Sequence, residues 1–176
     1  MNKNLKAIIG LGNPGPRFDA TRHNIGFAIV DALADIHSAH WSKKGAMEQA
    51  SITINNQPIL LVKPQTFMNN SGEIFPLLAK QGIKAENILV IHDELEKPFG
   101  SLAIKEGGSH RGHNGLRSII DYIGSDFNRL RFGIGRPERK EDVADYVLQK
   151  FTKAELETLP EHINQVITLV DSISSF

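Results

Sequence analysis

The sequence predicts an α/β fold, a single-domain three-layer sandwich in which a twisted, mixed β-sheet carries helices on both faces. Apolar, strand-like runs alternate along the chain with segments of helical period. One pair of runs reads as a hairpin, so the sheet cannot be wholly parallel. The 176 residues, 40 % of them hydrophobic, suit one compact domain over 1–176 without linkers or repeats.

The first half of the chain contains two strand regions and two helices. Residues 5–11 are apolar and end at glycine, which predicts a buried strand. Over 22–39 the apolar residues fall on one helical face. Residues 50–64 predict a hairpin that turns at an Asn-Asn pair. Residues 69–81 have a helical pattern, although an internal proline leaves the start of this helix open.

The second half continues the alternation up to residue 151. Residues 87–94 (NILVIHDE) predict a second buried strand, and 101–105 (SLAIK) predict a short one. A helix is expected over 112–124, ended by its glycine. Residues 129–135 predict another strand, and 141–151 predict a short helix.

The last segment, 152–176, predicts an amphipathic helix. Thr152 and Glu155 have the spacing of a capping box. Pro160 lies inside the apolar stripe and is expected to kink or restart the helix.

The charge distribution is uneven although the net charge is zero, with 20 Lys and Arg against 20 Asp and Glu. Zero net charge argues against a general nucleic-acid coat protein. Residues 97–140 nevertheless contain nine Lys and Arg against four Asp and Glu. This region forms either a basic binding face or an ordinary solvated surface.

The absence of cysteine excludes disulfides and thiolate metal sites. Apolar runs are too short for a membrane span, and the N-terminus has no signal-peptide core before its first strand. These features predict a cytoplasmic protein with no membrane partner.

The first strand runs into a G-x-G-x-x-G motif at Gly10, Gly12 and Gly15. In dinucleotide-binding proteins such glycines open a helix that receives the pyrophosphate. Here prolines bracket Gly15, and no helical period follows until about residue 22. We therefore interpret the motif as a tight loop that presents Asn13 at the carboxyl edge of the sheet, not as an NAD or FAD site.

Five polar residues fall where a predicted strand ends or a helix begins: Asn13, His23, Asn69, Asp93 and Asn114. The positive end of a helix is expected to push His23 toward its neutral form, which accepts a proton. Asp93 would fix its tautomer. The chain has neither cysteine nor a G-x-S-x-G nucleophile elbow, so the expected nucleophile is water activated by His23.

Each of these residues also has a structural interpretation. The asparagines beside glycines are common in turns, and Thr21 or Asn24 would serve as a helix cap. The histidine-rich segments allow a metal site, although their spacing matches no strong metal pattern. Its candidate ligands would be His92, Asp93, Glu94, His110 and His113.

Five motifs together resemble the bacterial-type peptidyl-tRNA hydrolases in order and spacing. They are GLGNPGPRFDATRHNIG, KPQTFMNNSG, HDELEKPFG, GGSHRGHNGLRSI and LRFGIGRP. The resemblance implies a monomeric three-layer α/β enzyme without a metal or organic cofactor and without an obligate protein partner. It also implies hydrolysis of the ester between a peptide and the terminal ribose of tRNA, the partner being peptidyl-tRNA through its acceptor stem, 3′ end and peptide.

The resemblance also implies roles for individual residues. His23 is the proton acceptor, Asp93 stabilises its basic form, and Asn13 distinguishes a blocked amino acid from a free one. Substrate or tRNA contacts fall on Phe18 (usually tyrosine in the family), Phe67, Met68, Asn69, Asn114 and His113, with Lys105 and Arg131 on the tRNA phosphate. The alternative is an RNA-binding relative without catalysis, which need not keep the whole set.

Overall fold

A seven-stranded sheet forms the centre of the molecule in the computed structural model, which describes residues 4–174. In chain order its strands are β1 Ala7–Gly10, β2 Ser42–Lys44, β3 Met47–Ile54, β4 Gln57–Pro64, β5 Ile88–Glu94, β6 Leu102–Glu106 and β7 Asn128–Gly133. Their order in the sheet is β2-β3-β4-β1-β5-β7-β6. Strands β4, β1, β5 and β7 are parallel, whereas β2, β3 and β6 run antiparallel to their neighbours. The predicted mixed sheet is confirmed.

The helices are α1 Ile25–Ile36, α2 Phe75–Lys80, α3 Asn114–Ile123, α4 Val143–Leu148 and α5 Lys153–Ile173. Short 3-10 segments lead into three of them: Arg22–Asn24 before α1, Met68–Ile74 before α2 and Lys140–Asp142 before α4. Within residues 4–174, no helix is long and apolar enough to cross a membrane.

Helices cover both faces of the sheet because alternate residues of each central strand point in opposite directions. In β1, Ile8 belongs to a buried cluster with residues of α1 and α5, such as Leu33 and Val166. Its neighbour Ile9 belongs to a second cluster with residues of α2 and α3, such as Leu78. The three-layer arrangement is therefore confirmed.

Two local predictions differ from the structure. Strand β2 was missed because Ser42–Lys44 is exposed and polar and gives no alternation. The prediction that Pro160 restarts the last helix is wrong, because α5 runs through it without interruption. Pro160 is exposed, and buried Val166 and Val170 anchor the helix beyond it. The predicted helix extended to residue 176, and its last two residues lie outside the described range.

The topology brings the carboxyl ends of four parallel strands to one edge of the sheet. The connection from β1 passes through α1 on one face, and that from β4 passes through α2 on the other. Diverging connections of this kind open a crevice at the strand ends, where ligands bind in open α/β sheets. All five polar residues singled out in the sequence follow or end strands, or begin helices, around this edge.

Candidate active site

Asp93 bridges two histidines from different parts of the chain. It lies near the end of β5 and is 4 % exposed. Its Oδ2 lies 2.8 Å from Nδ1 of His23, which comes from the turn before α1. Its Oδ1 lies 2.8 Å from Nε2 of His113, which precedes α3. The structure thus brings the predicted His23–Asp93 pair together and adds His113 to it.

The hydrogen bonds determine which ring nitrogen of each histidine carries a proton. Nδ1 of His113 accepts from the backbone amides of Gly115 (3.1 Å) and Leu116 (3.3 Å), so it caps α3. The proton of His113 is therefore on Nε2 and is donated to Asp93. His23 likewise donates its Nδ1 proton to the carboxylate, which leaves the Nε2 lone pair available. Nε2 of His23 has no hydrogen-bond partner among residues 4–174, as expected of a free base.

The contact between His23 and Asp93 shifts the pKa of each residue in the direction that favours its charged form. Burial by itself lowers the pKa of His23, but the charge of Asp93 and its hydrogen bond outweigh burial and raise that pKa above 6.5. Burial raises the pKa of Asp93, but the two histidines that face it hold the pKa well below its usual range. The sequence-based prediction that the helix end pushes His23 toward its neutral form is wrong in direction, because the nearby carboxylate outweighs a helix dipole.

His92 supports Asp93 through its backbone. The Nδ1–H group of this buried ring donates to the carbonyl of Asp93 at 2.8 Å. Burial and the neighbouring His113 lower the pKa of His92 to about 3, so its ring stays neutral at physiological pH. Its Nε2 is buried without a partner within the described chain.

Asn13 is fixed in its loop by Asn24. The Asn24 side chain accepts from the backbone N–H of Asn13 and donates to its carbonyl, both at 2.9 Å. Asn24 therefore bridges two loops, and no side-chain hydrogen bond of Asn24 caps α1, contrary to one of the alternatives above. Oδ1 of Asn13 accepts from the backbone amide of Met68 at 2.7 Å. Since its oxygen is engaged, Asn13 has its amide N–H groups left to offer a ligand.

A cavity of about 440 Å³ lies beside His23 and His113, and six Lys and Arg side chains line it. We call it the basic cavity; its cationic lining residues are Lys105, Arg111, Arg129, Arg131, Arg136 and Lys140. Glu94 pairs with Arg131 at 3.3 Å, and Glu96 pairs with Arg136 at 3.1 Å. Residues Val143, Ala144 and Val147 of α4 form an apolar part of its wall.

A second, polar cavity of about 340 Å³ lies between α3 and the turn after β4. Asn69, Arg117, Asp121 and Tyr122 are among its lining residues. Asn114, the first residue of α3, lines both cavities, whereas His23 and Asp93 line the basic cavity. The arrangement suits a ligand with an anionic part on one side and a polar, uncharged part on the other.

The remaining predicted site residues lie outside the two cavities. Phe18 and Phe67 pack edge to face with ring centres 6.1 Å apart, and Phe67 is 54 % exposed. Phe67 adopts φ +60°, a strained backbone for this residue type of the kind found at functional sites. The Met68 side chain is buried in the core and reaches the site through its backbone amide. Neither Phe18, Phe67, Met68 nor Asn13 lines either cavity.

His23, Asp93 and His113 are close enough for one ion, with ligand atoms within 4.8 Å of one another. Their protonation does not fit a metal. A histidine ligand must present a lone pair. His23 has one at Nε2, but both nitrogens of His113 are engaged, Nε2–H with Asp93 and Nδ1 with two backbone amides. Freeing Nε2 of His113 would require it to give up the two amide bonds that cap α3.

Sequence reasoning missed Arg129, one of the largest fully buried side chains. Its guanidinium donates to the carbonyls of Gly108, Ser109 and Ser125 and so holds the glycine-rich loop before His113. Arg129 lies two residues before Arg131 in β7, hence on the same face of the sheet, and this spacing could have indicated that it belongs to the site.

An open α/β sheet with an imidazole–carboxylate pair at its carboxyl edge and a basic cavity beside it places the protein among α/β enzymes that act on anionic ligands. Comparison with known proteins identifies the family. The model of the family described as peptidyl-tRNA hydrolase matches residues 7–175. The chain belongs to the peptidyl-tRNA hydrolase family.

Individual relatives agree with the family match. The chain is 48 % identical over 152 residues to a peptidyl-tRNA hydrolase of Wolbachia pipientis, covering 84 % of this chain and 82 % of the relative. It is 47 % identical over 164 residues to that of Dichelobacter nodosus, covering 91 % and 87 %. The crystal structure of peptidyl-tRNA hydrolase from Acinetobacter baumannii has a TM-score of 0.93 at 37 % identity, covering 99 % of this chain and 90 % of that one.

Proposed function

We propose that the protein hydrolyses the ester that joins a peptide to the terminal ribose of tRNA, releasing the peptide and free tRNA. The observation that carries this function is the free Nε2 of His23, held by Asp93 in the wall of the basic cavity, which shares Asn114 with the polar cavity. An anionic nucleotide on one side and an uncharged peptide on the other match these two cavities. A binding-only relative would need no oriented base.

The proposed reaction begins with a water molecule held by Nε2 of His23. As the water attacks the ester carbonyl, His23 takes its proton, and Asp93 stabilises the resulting imidazolium. The N–H groups of Asn13 and Asn114 are the candidate donors to the developing oxyanion. The tetrahedral intermediate then collapses, the ribose oxygen leaves, and the imidazolium returns the proton to it.

Selectivity for blocked substrates follows from the donor that Asn13 has left. A peptide carries an amide carbonyl next to the esterified residue, and this carbonyl can accept from Asn13 or Asn69. A free aminoacyl group lacks this carbonyl and carries an ammonium, itself only a donor, where the amide nitrogen was, so the asparagine N–H is left without an acceptor. Leaving such buried groups unpaired costs about 1–3 kcal/mol each.

We also propose that catalysis needs no metal, because both ring nitrogens of His113 are engaged in hydrogen bonds and so leave the three-residue cluster without a full set of ligands. The remaining expectations are that residues 1–176 form a single domain, that the enzyme is a monomer, and that it works in the cytoplasm, where tRNA is used. Sedimentation at micromolar concentration and a single unfolding transition would test the first two.

The experiment that tests the proposed function is a release assay on N-acetyl-aminoacyl-tRNA and on the same tRNA with a free amino group. The enzyme is expected to cleave the N-acetylated substrate faster, by about 5- to 150-fold for each pairing lost, which corresponds to about 1–3 kcal/mol. Prior treatment with an excess of chelator should leave the rate unchanged. Equal cleavage of both substrates would refute the selectivity, and loss of activity on chelation would refute metal independence.

Replacing Lys105 or Arg131 with alanine is expected mainly to raise KM. Both side chains line the basic cavity, where they would neutralise tRNA phosphate. Each lost phosphate contact should reduce the slope of log affinity against log salt by about 1. Titrating KM over salt concentration checks this. Lys43→Ala is the matched control, because β2 lies at the opposite edge of the sheet. An unchanged KM and salt slope in both variants would contradict the phosphate role.

A further inference from the structure

Arg22 is a buried cation next to His23 that makes its contacts with α4 and α5. Its side chain is 5 % exposed. Nη1 donates to the carbonyl of Tyr146 at 3.1 Å and to Oε1 of Gln149 at 3.2 Å. Nη2 pairs with Oε1 of Glu155 at 3.2 Å, and the guanidinium lies 4.0 Å from the centre of the Tyr146 ring. Arg22 thus uses its planar fork to hold several groups at once.

The backbone reinforces the same connection. The N–H of Arg22 donates to the carbonyl of Gln149 at 3.0 Å, and Thr21 forms an isolated antiparallel bridge with Lys150. The corner between α4 and α5 is therefore paired with the segment that leads into His23. Oε1 of Glu155 also accepts from the backbone N–H of Thr152 at 2.9 Å, so one carboxylate oxygen both caps α5 and holds Arg22.

Helix α4 connects this cluster to the site. Tyr146 contacts Arg22, whereas Val143, Ala144 and Val147 of the same helix line the basic cavity. Because α4 has only six residues, a shift of its Arg22-bound part would move the cavity wall with it.

We propose that Arg22 is a positioning residue: it fastens the α4–α5 corner to the turn that carries His23, and so holds His23 in hydrogen-bond contact with Asp93. This inference rests on the proposed function of His23 as the base. Arg22 itself lines neither cavity and touches no reacting group. A shift of α4 would also move the wall of the basic cavity, so some increase in KM is expected. Because the candidate phosphate-binding residues Lys105 and Arg131 lie on β6 and β7, outside the fastened segments, kcat should fall by more than KM rises.

The experiment compares Arg22→Lys and Arg22→Gln with Val170→Ala, which removes core volume from α5 without touching the turn. Lysine keeps the charge but cannot reach Tyr146, Gln149 and Glu155 together. We expect kcat on N-acetyl-aminoacyl-tRNA to fall about tenfold for lysine and about 100-fold for glutamine, because small misplacements of a catalytic group cost this much. KM should change by less than about threefold, and Val170→Ala should lower Tm with kcat near the parent value.

A second readout does not depend on activity. An NMR titration of the His23 ring should give a lower pKa in Arg22→Lys than in the parent, since His23 would lose part of its contact with Asp93 while the charge at position 22 is kept. Arg22→Gln does not serve for this readout, because losing the cation raises the pKa of His23. Most charged groups that face His23 lie on strands outside the fastened segments, as do Glu94, Lys105 and Arg131, whereas Lys140 and Glu141 precede α4 and move with it.

The proposal is overturned if Arg22→Lys turns over and titrates like the parent, or if its kcat falls no more than that of Val170→Ala. If Arg22→Gln does not fold, kcat and the pKa of His23 are measured in Arg22→Lys and Glu155→Gln instead, and the same outcomes support or overturn the proposal. If the parent does not cleave the substrate, the proposed function fails, and the His23 titration still tests what Arg22 holds.

Discussion

Replacing His23 with alanine is expected to lower kcat by about 10²–10⁴-fold, the contribution usual for a positioned general base. The residual activity would be close to the limit of a standard release assay. Affinity for tRNA should hardly change, because the candidate phosphate-binding residues Lys105 and Arg131 lie on other elements. The measurements are single-turnover cleavage of N-acetyl-aminoacyl-tRNA and equilibrium binding of deacylated tRNA.

His40→Ala is the matched control, since His40 is exposed and lies between α1 and β2, outside both cavities. It should behave like the parent in both measurements. A folded His23→Ala variant that cleaves substrate at the parental rate would show that another group acts as the base.

The Asp93→Asn variant should lose about as much activity as His23→Ala, roughly 10²–10⁴-fold in kcat. Asparagine is nearly the same shape but carries no charge to stabilise the imidazolium.

The Asp93→Asn substitution should also change the pH dependence of the rate. The parent base is active when neutral, so its rate falls as the pH drops through the raised pKa of His23. Without Asp93 only burial remains, which lowers that pKa, so the acid limb should move to lower pH.

The same substitution changes stability in a pH-dependent way. The pKa of Asp93 is lowered on folding, so its ionised form stabilises the native state at neutral pH. This contribution is fully present above the pKa of a free carboxyl and is lost only as the pH falls below that value, toward the lower pKa of the folded state. Parent and variant should therefore differ in Tm at pH 7 and converge in acid. Asp35→Asn, at an exposed position on α1, is the control and should change neither Tm nor the pH profile. An acid limb that stays in place in Asp93→Asn would contradict the coupling.

The sequence was sufficient for most of the fold because the central strands carry strong periodic signals. The apolar runs around Ile8 and Leu89 are buried on both faces and could only be interior strands. Sequence-based prediction failed for elements whose local pattern is weak and whose structure depends on tertiary contacts. Strand β2 is three exposed polar residues held only by pairing with β3. Helix α5 passes through Pro160 because packing further along offsets the lost hydrogen bond.

The sequence was sufficient to name the residues of the candidate site, whose roles stay predictions, but not their hydrogen-bonded arrangement. Topology brings His23 and Asp93 to one edge, which motif order and strand ends indicate. The second partner of Asp93, His113, depends on side-chain geometry at the start of α3, which no spacing encodes. The direction of the His23 pKa shift depends on a 2.8 Å contact with Asp93. Asn24 and Arg22 form their hydrogen bonds with segments that are distant in sequence. The local pattern indicated only a helix cap for Asn24 and no role for Arg22.

The most direct test of the central claim compares two pH titrations of the parent enzyme in the same buffer. One follows the His23 ring by NMR, and the other follows single-turnover cleavage of N-acetyl-aminoacyl-tRNA. The claim predicts that the rate rises with pH along the deprotonation of His23, with a shared midpoint above 6.5. A cleavage rate that stays constant while His23 titrates would contradict it.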